Sequence, residues 1–186
     1  MRCTATEIAG PSTRLWPGNA NVTEYTRPAT WEDLKGLAKR LGEAQVEYAL
    51  VGGYAIAAHG LSRQTEDIDF LVNPDPENSR RWIVALSSLP DQATRSLAGE
   101  PDVFAHDKRY AVRINDEFTI DVMPSVAGHS WDEMRAYVET VDLDGIPLRV
   151  LNLQGLLLSK QGARPKDQMD AALLRQALAV LKQQGK

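Results

Sequence analysis

The stretch that most constrains the fold runs from residue 50 to 72 and reads LVGGYAIAAHGLSRQTEDIDFLV. Its apolar runs and glycines predict a strand over residues 47–51, a helix over 54–59 and a second strand over 67–72. Gly52-Gly53 joins the first strand directly to the helix. A chain built this way combines helices and strands in one unit, which favours the α+β class.

The second of these strands carries two acids at alternate positions. Residues two apart in a strand share a face, so Asp67 and Asp69 project together while Ile68 and Phe70 face the core. Like charges this close repel unless a cation lies between them, and carboxylate oxygens are ligands for hard cations such as Mg²⁺. The pair therefore predicts a metal site. The alternative is that both are solvent-facing acids of a half-exposed strand.

A third acid lies in a later apolar segment. Asp121 alternates with Ile120 and Val122 in a predicted strand over residues 118–122. If this strand lies beside the strand of Asp67 and Asp69, three carboxylates converge on one face. Sites for two-metal phosphoryl transfer share carboxylates between ions about 3.5–4 Å apart. The third acid therefore strengthens the interpretation of a metal site.

The rest of the chain supplies further helices and two hairpins. Thr30 followed by Asp33 is typical of a helix start, and the predicted elements form a mixed sheet with helices packed beside it. The predictions are an irregular arm over residues 1–28, helices over 30–44, 77–89, 152–161 and 166–183, a loop over 90–103, and hairpins pairing 110–114 with 118–122 and 136–141 with 147–151. We expect a core over residues 29–151 and a C-terminal helical segment over 152–186 packed on it.

Composition excludes several classes of protein. The 186 residues include a single cysteine, Cys3, so a disulfide framework and a cysteine-based zinc site are excluded. The sequence has neither a signal peptide nor a run of transmembrane length, and we expect a soluble, cytoplasmic protein without a membrane partner. The net charge of −4 disfavours a protein that binds bulk nucleic acid.

Gly52 and Gly53 have two interpretations. Glycines between a strand and a helix leave backbone N–H groups open to a phosphate. The alternative is a tight turn that requires a positive φ. Neither a dinucleotide-binding fingerprint nor a P-loop is present.

Basic residues near these motifs also allow two interpretations. Arg63, just before the acidic pair, could reach a triphosphate or be a solvated turn residue. Lys160, Arg164 and Lys166 form a cluster that could neutralise phosphates. Alternatively, Lys166 and Asp170 are an ordinary surface pair at helical spacing.

Taken together, these motifs resemble those of the DNA polymerase β-like nucleotidyltransferase superfamily. Val51-Gly52-Gly53, thirteen residues and then Asp67-Ile68-Asp69-Phe70 resemble its glycine-and-aspartate signature, and Asp121 resembles its third carboxylate. The segment from Lys160 to Asp170 is similar to one in small bacterial nucleotidyltransferases, including abortive-infection toxins. The resemblance covers roughly residues 30–180, and Tyr54 stands where many members have serine.

The resemblance implies a fold, a reaction and a set of roles. The fold would be a small mixed sheet flanked by helices. The reaction would transfer a nucleoside monophosphate from an NTP to a hydroxyl of RNA, protein or a small molecule, with release of pyrophosphate. Asp67, Asp69 and Asp121 would hold two Mg²⁺ ions, replaceable by Mn²⁺, while Gly52, Gly53, Arg63 and Lys160 would contact the nucleotide. An antitoxin partner is a further implication, and an inactive nucleotide-binding or partner-binding module is the alternative.

Overall fold

The computed structural model describes residues 26–100, 102–105, 110–162 and 164–184. The helices are α1 (Trp31–Glu43), α2 (Gly52–Ala58), α3 (Pro76–Leu86), α4 (Trp131–Met134), α5 (Leu153–Leu158) and α6 (Pro165–Gln184). The strands are β1 (Tyr48–Val51), β2 (Ile68–Val72), β3 (Val112–Asn115), β4 (Thr119–Met123), β5 (Ser125–Val126), β6 (His129–Ser130), β7 (Val138–Leu143) and β8 (Ile146–Leu151). Short 3₁₀ helices cover Ala93–Leu97 and Arg135–Tyr137.

Six of the strands form one mixed sheet. Their order is β3-β4-β2-β1-β8-β7, and β5 and β6 pair separately. β2 lies parallel to β4 and β1 lies parallel to β8, whereas the remaining neighbours in the sheet are antiparallel. The predicted α+β fold, a small mixed sheet flanked by helices with a helical C-terminal segment, is confirmed.

The first helix follows from its sequence. The Thr30 hydroxyl accepts a hydrogen bond from the Asp33 backbone N–H at 3.2 Å, and the Asp33 carboxylate accepts one from the Thr30 N–H at 2.8 Å. This reciprocal cap satisfies N–H groups that a helix start leaves open. Leu34, Leu37 and Leu41 then fall on one face and are buried. Burying each contributes about 1.5–3 kcal/mol.

The central strands β2 and β4 divide their residues between two faces. Ile68, Phe70, Ile120 and Val122 are at most 1% exposed, so they form part of the core. Because alternate residues of a strand point to opposite faces, Asp69 lies on the other face of the sheet. The core thus fixes where the polar residues of these strands lie.

The segments that differ from the prediction include a helix and a loop. The helix predicted over residues 54–59 begins at Gly52, so both glycines belong to its first turn. The loop predicted over 90–103 contains the 3₁₀ helix Ala93–Leu97. It is held by Asp116, 1% exposed, whose carboxylate accepts hydrogen bonds from the backbone N–H of Asp91 at 3.1 Å and of Ala93 at 3.2 Å.

Residues 26–30 form neither helix nor strand, yet they are attached to the core. The Arg27 backbone N–H donates to the Glu117 carbonyl at 2.9 Å, and the Ala29 N–H donates to the Glu66 carbonyl at 2.9 Å. Residues 1–25 of the predicted arm lie outside the described residues. The boundaries at 28/29 and 151/152 remain predictions.

Among the helices of the described ranges, none combines the length and hydropathy needed to cross a bilayer. The second half of α6 packs loosely, since Val180 and Leu181 are 44% and 54% exposed. The buried apolar residues of this helix, Ala171 and Leu174, therefore lie in its first half.

Candidate active site

The sheet brings Asp69 and Asp121 side by side. β2 and β4 are parallel, and their register pairs the Cα of Asp69 with that of Asp121. Paired residues of neighbouring strands point to the same face, so both carboxylates lie on the face opposite Ile68 and Ile120. Asp67 lies one residue before β2 begins. Its side chain is 43% exposed, whereas that of Asp121 is 12% exposed.

Gly52 lies against the carboxylate of Asp69. The register of β1 with β2 pairs Val51 with Asp69, and Gly52 then starts α2 with φ +71°. A Cβ at residue 52 would fall well inside 3.0 Å of an Asp69 carboxylate oxygen. Glycine is therefore required twice, for the left-handed backbone and for the close approach of the carboxylate.

Gly53 is constrained by a different neighbour. A Cβ there would come within 2.5 Å of the Thr65 Cβ, so the loop before β2 packs against the first turn of α2. The described contacts of both glycines are with protein groups. A phosphate contact at Gly52 or Gly53 remains a prediction.

The electrostatics of the acids follow from burial and from each other. Burial, together with the neighbouring carboxylates of Asp121 and Asp67, raises the pKa of Asp69 to about 7. The Asp69 side chain makes no hydrogen bond or ion pair with the described residues. Burial also raises the pKa of Asp67, an effect that the Arg113 guanidinium opposes. Lys160 and Lys166 act on Asp69 only at a distance, so the site contains a carboxyl group without a bonded cation among the described residues.

Arg113 is the cation nearest to the other two acids. The hairpin of β3 and β4 places it opposite Asp121, and its Nε and Nη2 donate to the Asp121 oxygens at 2.9 and 2.7 Å. Its Nη2 also lies 3.7 Å from an Asp67 oxygen. The hydrogen bonds to Asp121 raise the pKa of Arg113 above its ordinary value. The sequence reasoning above did not select this residue.

The acids do not form a ready-made metal cage. Over residues 26–100, 102–105, 110–162 and 164–184, no group of three or more His, Cys, Asp or Glu side chains is arranged to hold a metal ion. Arg113 is bonded to Asp121, one of the three acids predicted to hold the metal. The donor set itself fits Mg²⁺, because it consists of carboxylate oxygens and includes Asp69, which has no partner.

A second polar cluster ties α6 to the loop before β2. Asp170, whose side chain is 5% exposed, accepts a hydrogen bond from Arg63 Nε at 2.7 Å and lies 3.1 Å from Lys160 Nζ. Asp167 is also buried, 3.7 Å from Lys160 Nζ and 2.8 Å from Arg164 Nε. We call these five side chains the ionic network.

The ionic network contains two of the basic residues that the sequence predicted to contact a nucleotide. Arg63 and Lys160, both predicted to contact a nucleotide, bond here to protein carboxylates. The pair of Lys166 with Asp170 that helical spacing allowed is not formed, since Asp170 contacts Arg63 and Lys160 instead. The side chain of Lys166 is exposed and makes no hydrogen bond or ion pair within the described part of the chain.

A cleft of about 560 Å³ opens beside Asp67. Trp31 and Tyr54 form one wall in edge-to-face contact, with ring centroids 5.2 Å apart, and the Tyr54 hydroxyl donates to the Ala29 carbonyl. Lys166 lies on the cleft with Asp67. The remaining lining residues are Pro28, Ala57, Arg63, Gln64, Thr65 and Glu66. An aromatic wall, a free cation and a carboxylate therefore share one opening.

Comparison with solved structures identifies this arrangement of strands and helices. A provisionally assigned nucleotidyltransferase from Thermotoga maritima superposes with a TM-score of 0.51 at 14% identity, covering 83% of this chain and 91% of that one. ANT(2″)-Ia in complex with adenylyl-2″-tobramycin superposes with a TM-score of 0.53 at 12% identity, covering 82% and 91%. No protein-family model matches the sequence, and no curated protein matches it either. The chain thus has the fold of the nucleotidyltransferases, as its motifs implied.

Proposed function

We propose that the protein is a metal-dependent nucleotidyltransferase that transfers a nucleoside monophosphate from an NTP to a hydroxyl group and releases pyrophosphate. The observation that carries the proposal is the pairing of Asp69 with Asp121 across two parallel strands, with Asp67 two residues before Asp69. The pairing lies in a nucleotidyltransferase fold, and Asp67 borders a cleft that Lys166 also lines.

In this proposal the three aspartates share the metal-binding work. Asp67 and Asp69 would hold both Mg²⁺ ions, with Mn²⁺ as a substitute, and Asp121 would complete the second position and help to deprotonate the attacking hydroxyl. Bound Mg²⁺ supplies neutralisation of charge on the reacting phosphate. Metal binding also keeps Asp69 ionised, because a nearby cation lowers the pKa that burial has raised. Catalysis is then mainly positioning and charge neutralisation.

The cleft is the proposed seat of the nucleotide. Lys166 is the best-placed contact for a triphosphate, because it is exposed, faces the cleft with Asp67 and has no protein partner in the described chain. Trp31, 38% exposed, offers a flat surface to a base. Arg63 and Lys160 remain proposed contacts of the nucleotide, but each would have to leave its carboxylate partner to bind a phosphate. Gly52 and Gly53 remain proposed contacts through their backbone N–H groups.

The proposed acceptor is a hydroxyl of a small molecule. ANT(2″)-Ia holds an adenylylated small molecule, tobramycin, in a related fold. The net charge of −4 gives long RNA little electrostatic attraction. RNA ends and protein hydroxyls are the competing acceptors. The toxin role and its antitoxin remain predictions, tested by whether expression of the chain arrests growth.

The alternative is a nucleotide-binding module without turnover. One observation favours it: Arg113 lies against Asp121, and the described acids do not form a preformed metal cage. This alternative expects NTP binding without release of pyrophosphate. Whether pyrophosphate is released therefore distinguishes the enzyme from the binding module.

The test supplies each α-labelled NTP with Mg²⁺ to three acceptor pools: aminoglycosides and other polyols, total RNA, and a protein extract. Label retained by the small molecules supports the proposed acceptor, and label on RNA or protein replaces it. Absence of both pyrophosphate release and label transfer with every NTP and pool contradicts the enzymatic proposal. EDTA should abolish transfer.

Two substitutions test the assigned roles in this assay. Asp121→Asn should keep the fold and most metal-dependent NTP binding but lose turnover, and Asp67→Ala should lose both. The matched control is Asp132→Asn, since the Asp132 side chain is 82% exposed and outside the site. Turnover by Asp121→Asn at the rate of the control would contradict the role of Asp121.

A further inference from the structure

Arg113 occupies both oxygens of a proposed metal ligand. Its Nε and Nη2 form two parallel hydrogen bonds to Asp121 at 2.9 and 2.7 Å. Paired bonds of this kind between a guanidinium and a carboxylate are among the strongest that proteins form. Each carboxylate oxygen has two lone pairs and the fork uses one on each, so an ion shared between Asp69 and Asp121 competes with Arg113 for the Asp121 carboxylate.

The charges of the site lead to the same conclusion. Arg113 lies 3.7 Å from Asp67 as well, so one guanidinium offsets two of the three acids. Asp69 has no partner in the described chain, and its carboxyl lies between the backbone of Gly52 and the neighbouring Asp121. A divalent cation that binds Asp69 and Asp121 therefore replaces the charge that Arg113 supplies to Asp121.

The position of Arg113 suits an exchange. It is carried by β3, the outermost strand of the sheet, and its side chain is 38% exposed, so it has solvent to move into. No carboxylate other than those of Asp121 and Asp67 forms an ion pair with it in the described part of the chain. Release from Asp121 thus leaves Arg113 near the site, with Asp67 as its remaining partner among the described residues.

We propose that Arg113 is an internal counter-ion that holds Asp121 in the metal-free protein and is exchanged for a divalent cation when Asp121 becomes a metal ligand. This inference rests on the proposed metal dependence. It assigns Arg113 a positioning role: without a metal the guanidinium offsets the repulsion between Asp121 and Asp67, and it sets the affinity of the site for the metal.

The test measures Mg²⁺ affinity by calorimetry and melting temperature in EDTA, without a nucleotide. Arg113→Gln should bind Mg²⁺ about tenfold more tightly, because a charge-assisted pair no longer competes with the ion for Asp121. The same variant should have a lower melting temperature than the wild type in EDTA, and Mg²⁺ should raise its melting temperature by more. Arg113→Lys keeps the charge but cannot form the paired bonds, so it should bind Mg²⁺ more tightly than the wild type, and it carries the test if Arg113→Gln does not fold.

The matched control is Lys166→Gln, which also removes one positive charge near Asp67 and Asp69 but breaks no bond to Asp121. If Lys166→Gln increases the affinity for Mg²⁺ less than Arg113→Gln does, the exchange is supported. An equal gain shows that only net charge matters and overturns it. Unchanged or weaker Mg²⁺ binding in Arg113→Gln also overturns it, because the guanidinium then helps to hold Asp121 toward the ion. A wild type that binds no Mg²⁺ overturns the proposed metal dependence as well.

Discussion

Replacing Asp170 by asparagine removes the charge at the centre of the ionic network while keeping the shape of the side chain. The carboxylate is 5% exposed, and its partners Arg63 and Lys160 are 16% and 11% exposed. Removing one partner of a buried ion pair costs about 3–5 kcal/mol, because the cations left behind lose their neutralising charge. Lys160 keeps Asp167 at 3.7 Å, so we expect a loss near the lower limit, about 3 kcal/mol.

Urea denaturation measures this loss directly, and the melting temperature should fall by roughly 6–12 °C in a protein of this size. Arg164→Gln is the control, since Arg164 pairs with Asp167 but is 73% exposed and should cost less than about 1 kcal/mol. An Asp170→Asn variant as stable as the control would refute the reasoning. Arg63 and Lys160 would then be available to a nucleotide without a loss of stability.

Three further predictions concern the site. Gly52→Ala should lower the free energy of unfolding more than Gly60→Ala does. Both positions have positive φ, which costs alanine about 1–2 kcal/mol, but only a Cβ at residue 52 also meets a carboxylate. Equal losses of stability in denaturation would exclude the clash with Asp69. The metal-free protein should lose stability as pH rises from about 4 to about 7, because the folded state binds the Asp69 proton more tightly than the unfolded state does. Asp69→Asn should flatten that slope in a pH series of melting temperatures. Trp31→Ala should weaken NTP binding by about 1–2 kcal/mol if a base stacks there, and an unchanged Kd in a titration would remove Trp31 from the nucleotide site.

The part of the fold nearest the site follows closely from local patterns. The acids of β2 and β4 interrupt apolar alternation, and alternation alone indicates that Asp69 and Asp121 point away from Ile68 and Ile120. The double glycine marks the start of α2. Alternation and the double glycine involve residues adjacent in the chain, so both can be recognised from the sequence alone.

The position of Arg113 depends on the register of a hairpin, which local patterns specify poorly. A loop over residues 115–117 would pair Ile114 with Phe118 and so put Arg113 opposite Thr119. The observed register pairs Asn115 with Thr119, which moves Arg113 opposite Asp121. The difference of two residues keeps every side chain on its face. Hydrophobic alternation therefore cannot distinguish the two registers.

The ionic network and Asp116 escaped prediction for another reason. Asp167 and Asp170 lie at the start of a helix, where acids are ordinarily solvated, and Asp116 lies in a turn, where aspartate is ordinary as well. Their burial depends on segments distant in the chain: the loop carrying Arg63 for Asp170, and the backbone of Asp91 and Ala93 for Asp116. Only the tertiary fold shows that these charges are internal.

The edge position of β3 has a dynamic consequence for the acids it neutralises. This four-residue strand pairs with β4 alone, so its amides should exchange with solvent sooner than those of β2, which has a neighbour on each side. Each transient opening of β3 carries the guanidinium away and exposes an uncompensated acidic surface. If Arg113 is exchanged for a divalent cation as proposed, opening of β3 and cation binding favour each other, and saturating magnesium should speed amide exchange in β3 while slowing it in β2 and β4.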